Sequence, residues 1–278
     1  MLMLRQIFRL VTPAILAGLL LALSGCAGLA PLLQNPNYIY EDGAVLVDGS
    51  DAPVELKNNP EAQEVSYTAL LDFLHRDKTD LYTYVERDNP EGLTPFVCSD
   101  FAEMLHNNAE AAGIKAAYVS IDWVSGEIGH AVNAFNTTDK GLVFIDCTGD
   151  SLYSQMEANA DSVSPGSWDK VAYLVEGRKY GVIAIAYAAD TDYSFYEHYE
   201  EMWEELKSKT ADYNAEVQLF NQELSENVYI EGSPELAEIQ AWEKRLDEQE
   251  ALLRNMMLEV GESRFRPLGI VSHYSVHW

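Results

Sequence analysis

The chain has 278 residues, 47% hydrophobic and 23% charged, a globular composition with length enough for one good-sized core or a core plus an accessory element. Its formal charge of −27 argues against nucleic acid and anionic membrane surfaces as partners, because both would repel it. A cationic partner, or plain solubility, is compatible with that charge.

The chain opens with MLMLRQIFRLVTPAILAGLLLALSGC. Arg5 and Arg9 precede an apolar run from Leu10 to Leu23 that is short for a permanent span, and small residues follow before Cys26. This is the layout of a secretory signal over residues 1–25. Its end, Leu23-Ser24-Gly25-Cys26, resembles a bacterial lipobox, which implies cleavage before Cys26 and acylation of that cysteine. The expectation is an extracytoplasmic protein of the cell envelope, held to a membrane by its lipid, with an uncleaved anchor as the alternative. Of the three cysteines, Cys98 and Cys147 then remain, in a compartment where a pair invites a disulfide. Residues 26–60 are rich in Pro, Asn, Gly and Asp and read as a lipidated N-terminus and tether, with short apolar runs able to form a strand or hairpin.

Residues 61–192 read as an α+β domain. In SYTALLDFLHRD, Leu70, Leu71 and Leu74 fall at helical spacing behind Ser66, a suitable cap. Asp77 and Asp80, in the following HRDKTD, are loop-tying carboxylates. A second helix is expected in TPFVCSDFAEMLHNNAEAAGIKAAYV, where Phe101, Ala102, Leu105, Ala109 and Ala112 recur at three- and four-residue steps and Gly113 ends the pattern. Cys98 falls in or just before its first turn. Strand-like runs follow in IKAAYVSIDW, GHAVNAFN and GLVFIDCT, and then in KVAYLV and YGVIAIAYA, which flank the turn EGRK. The order predicts a mostly antiparallel sheet.

The pattern changes at residues 193–262. Phe195, Tyr199, Met202 and Leu206, and later Leu236, Ile239, Trp242, Leu246 and Leu253, keep helical steps on either side of ENVYIEGSPE, in which Ser233 can cap and Pro234 can open a helix. A long antiparallel helical hairpin is predicted. Its glutamate-rich outer faces read as solvated, and a cationic protein partner is the alternative. The aromatic patch of Tyr187, Tyr193, Phe195, Tyr196 and Tyr199 reads as packing at the hairpin base rather than as a binding platform. In residues 263–278, PLGIVSHYSVHW is apolar and β-branched enough to be a strand returning to the main sheet, which would make the hairpin an insertion.

A helix N-terminus stabilises a thiolate through its unpaired N–H groups and the positive end of its dipole, and Cys98 is placed for this. Among the six histidines, His106 lies about 12 Å along the same helix and cannot reach the sulfur. His130, opening a strand directly after Gly129, is best placed as base, and Asp146 lies across from it on the next strand. The order Cys98 in VCSDFA, His130 in GHAVNAF and Asp146 in FIDCT resembles the transglutaminase-like superfamily, whose papain-like core packs a cysteine-bearing helix against an antiparallel sheet. The resemblance implies that Cys98 is nucleophile, His130 base and Asp146 the orienting acid, with Tyr82 or Tyr84 as candidates for the oxyanion hole. It implies thiol acyl transfer or hydrolysis on a peptide or amide substrate; the alternative is a non-catalytic envelope scaffold or binding module with the same fold.

Neither a calcium-loop pattern nor a zinc-ligand spacing is present in the sequence, so no metal and no cofactor is expected. A Cys98–Cys147 disulfide and an inert, buried Cys98 are the competing structural readings. Strand alternation argues against the disulfide: with Asp146 turned toward the helix, Cys147 turns away and reads as an inert buried thiol.

Overall fold

The computed structural model describes residues 35–149, 168–261 and 264–278. The expected signal segment over residues 1–25, the expected lipidation position Cys26 and residues 27–34 lie outside these. The described chain is mixed α and β, with four α-helices and a large antiparallel sheet.

Residues 35–60 depart from the tether expectation. β1 (Tyr40–Glu41) and β2 (Ala44–Val45) form a small hairpin, and Ile39, Val54 and Leu56 are buried against Ala102, Tyr118 and Ala131. A run of alternating apolar residues too short to show periodicity still buries its apolar side when a sheet face is available. Gly49 N–H also donates to Asp100 Oδ2 at 2.8 Å, tying this segment to the helix that carries Cys98.

Helix α1 (Tyr67–Leu74) is capped by Ser66, whose Oγ accepts from Ala69 N–H at 3.2 Å, and it buries Leu70, Phe73 and Leu74. Helix α2 (Cys98–Ala111) buries Phe101, Ala102, Leu105 and Ala109 and ends at Gly113, whose φ of +80° suits the left-handed turn. Its N-cap is Val97, which has no side-chain acceptor; instead the Asp100 carboxylate accepts from Val97 N–H at 2.9 Å, one half of a capping box.

Six strands follow: β3 (Ala117–Trp123), β4 (His130–Thr137), β5 (Gly141–Asp146), β6 (Lys170–Tyr173), β7 (Gly181–Ala184) and β8 (Val271–His277). All neighbours are antiparallel, in the order β7-β6-β5-β4-β3-β8, so the C-terminal strand covers the edge of β3. The sheet curls strongly. Val271, paired with Trp123 at one edge, also donates to Arg178 O at 2.9 Å beside the other edge, and Tyr180 N–H donates to Gly269 O at 2.9 Å. The curl separates two apolar clusters. Outside, Phe135, Val143, Ile145 and Cys147 meet α1 and α2; inside, Val119, Val132, Ala134, Tyr180 and Val182 pack on one another.

Helices α3 (Tyr193–Glu226) and α4 (Pro234–Val260) form the long hairpin, α4 capped by Ser233 Oγ on Leu236 N–H at 3.2 Å. At ~1.5 Å per residue the arms are about 50 and 40 Å long. Along them only a narrow seam is buried, through Leu206, Leu246 and Leu253. At the base, Tyr196 stacks on Tyr173 with centroids 5.5 Å apart, and Tyr199 Oη donates to Val260 O at 2.7 Å. Gly181 makes this docking possible, since a Cβ there would lie 2.6 Å from the Tyr196 ring. A Gly181→Ala variant should therefore lose about 1–3 kcal/mol through overpacking against a ring that cannot move aside. Urea unfolding checks this, and an unchanged midpoint would contradict the rigid docking.

Candidate active site

The register of β4 on β5 places Asn133 opposite Ile145, so one pair further along Val132 faces Asp146, two residues from His130 on the same strand face. That diagonal is within reach of long side chains. His130 Nε2–H donates to Asp146 Oδ2 at 2.9 Å, with Asp146 fully buried and His130 6% exposed. Nδ1 is the nitrogen left to face Cys98, the half-buried first residue of α2, with which the imidazole makes a further hydrogen bond. Burial alone would drive the imidazole toward its neutral form, but the Asp146 charge and the bonds to Asp146 and Cys98 overcome this and hold its pKa up, at about 9.

Two fittings bring the elements together. Asn133, fully buried, donates from Nδ2 to Ala102 O at 2.8 Å and to Ala117 O at 3.3 Å, joining α2 to the sheet one turn beyond Cys98. Gly129 precedes His130 where a Cβ would lie 2.2 Å from Ile121 O, so only glycine lets β4 approach β3 at this point.

The sheet faces are the reverse of the sequence expectation. Cys147 is the residue turned toward α2, its Sγ–H donating to Phe101 O at 3.6 Å within the outer cluster, and Asp146 points to the inner side of the curl. Alternation along β5 holds; its assignment to faces was inverted because the histidine is reached around the end of the strand, from inside the curl. Cys98 and Cys147 are both free thiols, and burial pushes the Cys147 thiol well above its ordinary value.

Asp146 has partners that sequence reasoning missed. Tyr180 Oη–H donates to Oδ2 at 2.6 Å, Thr148 N–H donates to Oδ1 at 2.9 Å, and Lys170 Nζ stands 3.8 Å from Oδ1. Lys170 is fully buried, directly opposite Asp146 in the β5–β6 register, and it also donates to Thr148 O at 2.9 Å and to Trp168 O. The available sequence signal was a lysine at the head of the apolar run KVAYLV, an arrangement that a buried counter-charge explains. The His130 ring forms a cluster with Trp123, stacked at 6.4 Å, and Tyr180, edge-on at 5.4 Å, and these two rings meet each other edge-on at 5.6 Å.

Beside Cys98 and His130 opens a cleft of about 320 Å³, walled by Tyr84, Tyr118, Glu41 and Leu46. Of the two oxyanion candidates, Tyr84 is on this wall. Burial, followed by the nearby Cys98, holds its phenol well above the ordinary value, so it stays a hydrogen-bond donor at neutral pH. Tyr82 is 51% exposed, stacks on Phe96 at 5.3 Å and lines a different surface, so it is not brought to the thiol. Tyr118 is a second phenol beside Cys98, fully buried and raised for the same reasons in the same order. Glu41 pairs with His277 Nε2 at 2.7 Å and accepts from Ser120 Oγ, which fastens β1 to β8 at the cleft rim. A larger cavity of about 720 Å³ lies near the hairpin turn, lined by Tyr229, Ile230 and Trp242, and it brings together no thiol and imidazole. Among the described residues no group of three His, Cys, Asp or Glu side chains could hold a metal ion.

Comparison with protein-family models, with curated proteins and with solved structures finds no match.

The His130 charge links stability to pH. Its pKa is raised from 6.5 to about 9, so the stabilisation it brings is fully present below about pH 6.5 and is lost as the pH rises through about 9. Thermal midpoints should fall across that window, and the fall should be shallower in Asp146→Asn, which removes the charge that holds the proton. Parallel slopes for the two proteins would show that His130 is not cationic in the folded state.

Proposed function

We propose that the protein is a thiol acyl transferase or amide hydrolase of the transglutaminase-like type, with Cys98 as nucleophile and a peptide or protein amide as substrate. The observation that carries this is the unbroken path from buried Asp146 through His130 to a half-buried Cys98 that borders an open cleft. A sealed arrangement would serve a scaffold equally well; an open one gives a substrate carbonyl somewhere to sit.

In this reaction His130 Nδ1 takes the Cys98 proton and the sulfur attacks the amide carbonyl, forming the S–C bond. The developing oxyanion is met by the Cys98 backbone N–H, one of the N–H groups that a helix start leaves without an intrahelical partner, and by the Tyr84 phenol. Collapse breaks the C–N bond, and the departing amine takes the proton from His130, leaving a thioester. Water or a second amine, deprotonated by His130, attacks the thioester carbonyl; collapse breaks the S–C bond and releases the acid or new amide, and His130 returns its proton to the sulfur. Asp146 keeps Nε2 protonated throughout, so that Nδ1 is the nitrogen that exchanges protons.

The same proposal places the domain outside the cytoplasm, tethered through lipid on Cys26. Among the described residues no helix is long and apolar enough to cross a membrane.

Two experiments test these assignments. In the full chain carrying Cys26→Ser, a thiol-directed acyl probe should label the protein, and Cys98→Ala should abolish labelling although Cys147 remains; equal labelling of the variant removes the nucleophile. Separately, cells making the unaltered chain should retain it in the membrane fraction, and Cys26→Ser should release it. Identical partitioning of the two would exclude the lipid anchor.

A further inference from the structure

We infer that Tyr180 is a positioning residue that sets the reactivity of Cys98 through Asp146 and His130; the inference rests on the thiol-acyl-transfer reading. Its hydroxyl and the His130 Nε2–H donate to the same oxygen, Asp146 Oδ2, at 2.6 and 2.9 Å. Two donors on one oxygen, with Thr148 N–H at 2.9 Å on the other, leave the carboxylate one orientation. The Tyr180 ring packs edge-on against the imidazole at 5.4 Å and edge-on against Trp123 at 5.6 Å, and Trp123 itself stacks on the imidazole at 6.4 Å, so the histidine rests on two aromatic rings that brace each other. One side chain thus fixes both members of the hydrogen bond that directs Nδ1 toward the sulfur.

Tyr180 is itself held from outside the site. Its N–H donates to Gly269 O at 2.9 Å, and Gly181 beside it seats the Tyr196 ring at the hairpin base. Its side chain is fully buried, so the hydroxyl gains nothing from solvent and Asp146 is its acceptor. Among the described residues, the charged and titratable groups against the pair include Cys98 from α2, Asp146 from β5 and Lys170 from β6. Tyr180 contributes direction and a hydrogen bond, without charge.

The hydroxyl is removed by Tyr180→Phe, which keeps the ring. In the full chain carrying Cys26→Ser, alkylation of Cys98 by iodoacetamide is followed from about pH 5 to 9 by mass spectrometry of its peptide, with thermal melts in parallel. The unaltered Tyr180 protein should react at about pH 6 far faster than a His130→Ala variant. Tyr180→Phe should lose about tenfold at that pH and converge with Tyr180 protein near pH 9, where the thiolate forms without help from the imidazolium. A purely structural role would lower the melting temperature and leave the pH profile in place.

An unchanged profile in Tyr180→Phe overturns the positioning role and leaves the thiol reading intact. A protein with Tyr180 that reacts no faster at pH 6 than His130→Ala overturns both. If Tyr180→Phe proves too unstable to assay, the low-field proton resonance of His130 Nε2–H supplies the readout in 3-fluorotyrosine-substituted protein. The more acidic phenol competes harder for Oδ2 and should shift that resonance, and an unmoved resonance contradicts the coupling.

Discussion

Asp146 is a carboxylate with no access to water, and much of the architecture follows from what such a group requires. A buried charge without partners costs several kcal/mol, enough to undo a marginally stable domain. Its partners come from four separate pieces of chain: the hydrogen-bond donors His130 on β4, Thr148 just beyond β5 and Tyr180 ahead of β7, and the cation Lys170 on β6. They converge only if these strands are neighbours and the sheet curls so that their inner faces meet. The close approach at Gly129 and the bonding of residues 269–271 to the turn before β7 are parts of that curl. The carboxylate also contributes to fold specificity, because a register slip of one residue on β5 would turn it into the apolar outer cluster.

What was legible in the sequence was local. Ser66, Ser233, Pro234 and Gly113 mark helix ends by their own chemistry, and the structure places a cap or terminus at each. The strand runs stood out because apolar and β-branched residues cluster between turns. Cys98 was legible as a helix-start thiol, and His130 and Asp146 as neighbours across a hairpin, since both inferences need only a register. Tyr180 and Lys170 were not legible, because their relation to Asp146 depends on the order and curl of three later strands. The face of β5 was misassigned for the same reason: alternation says which residues share a side and is silent on which side meets the helix. Residues 35–60 misled in another way, since composition reports the lack of a repeating pattern and cannot report that Ile39, Val54 and Leu56 find a surface waiting for them.

The charges are sorted in space. The hairpin displays its glutamates to solvent, where mutual repulsion is screened and the cost is small. Along the arms Lys209, Lys244 and Arg254 pair with Glu205, Glu248 and Glu250, and at the base Arg264, just beyond α4, joins Glu200 and Glu204 and fixes the chain as it leaves toward the main sheet. Inside the curl the balance is different. Asp146 faces two basic groups, Lys170 and His130, and the path through His130 ends at the Cys98 thiol.

That imbalance separates a structural ion cluster from a reactive one. A cluster that served only to hold strands together would be neutral by itself and sealed, and well-packed apolar side chains of similar volume could replace it at little cost. Here exposure rises along the path, from Asp146 and Lys170 at 0% to His130 at 6% and then to the half-buried Cys98. The cation held on His130 meets the Cys98 side chain at the cleft. Packing does not need Cys98 to be open, and a small apolar residue would fill the start of α2 equally well. The proposed chemistry at the sulfur would account for an open last member of a buried charged path, which stability alone does not require.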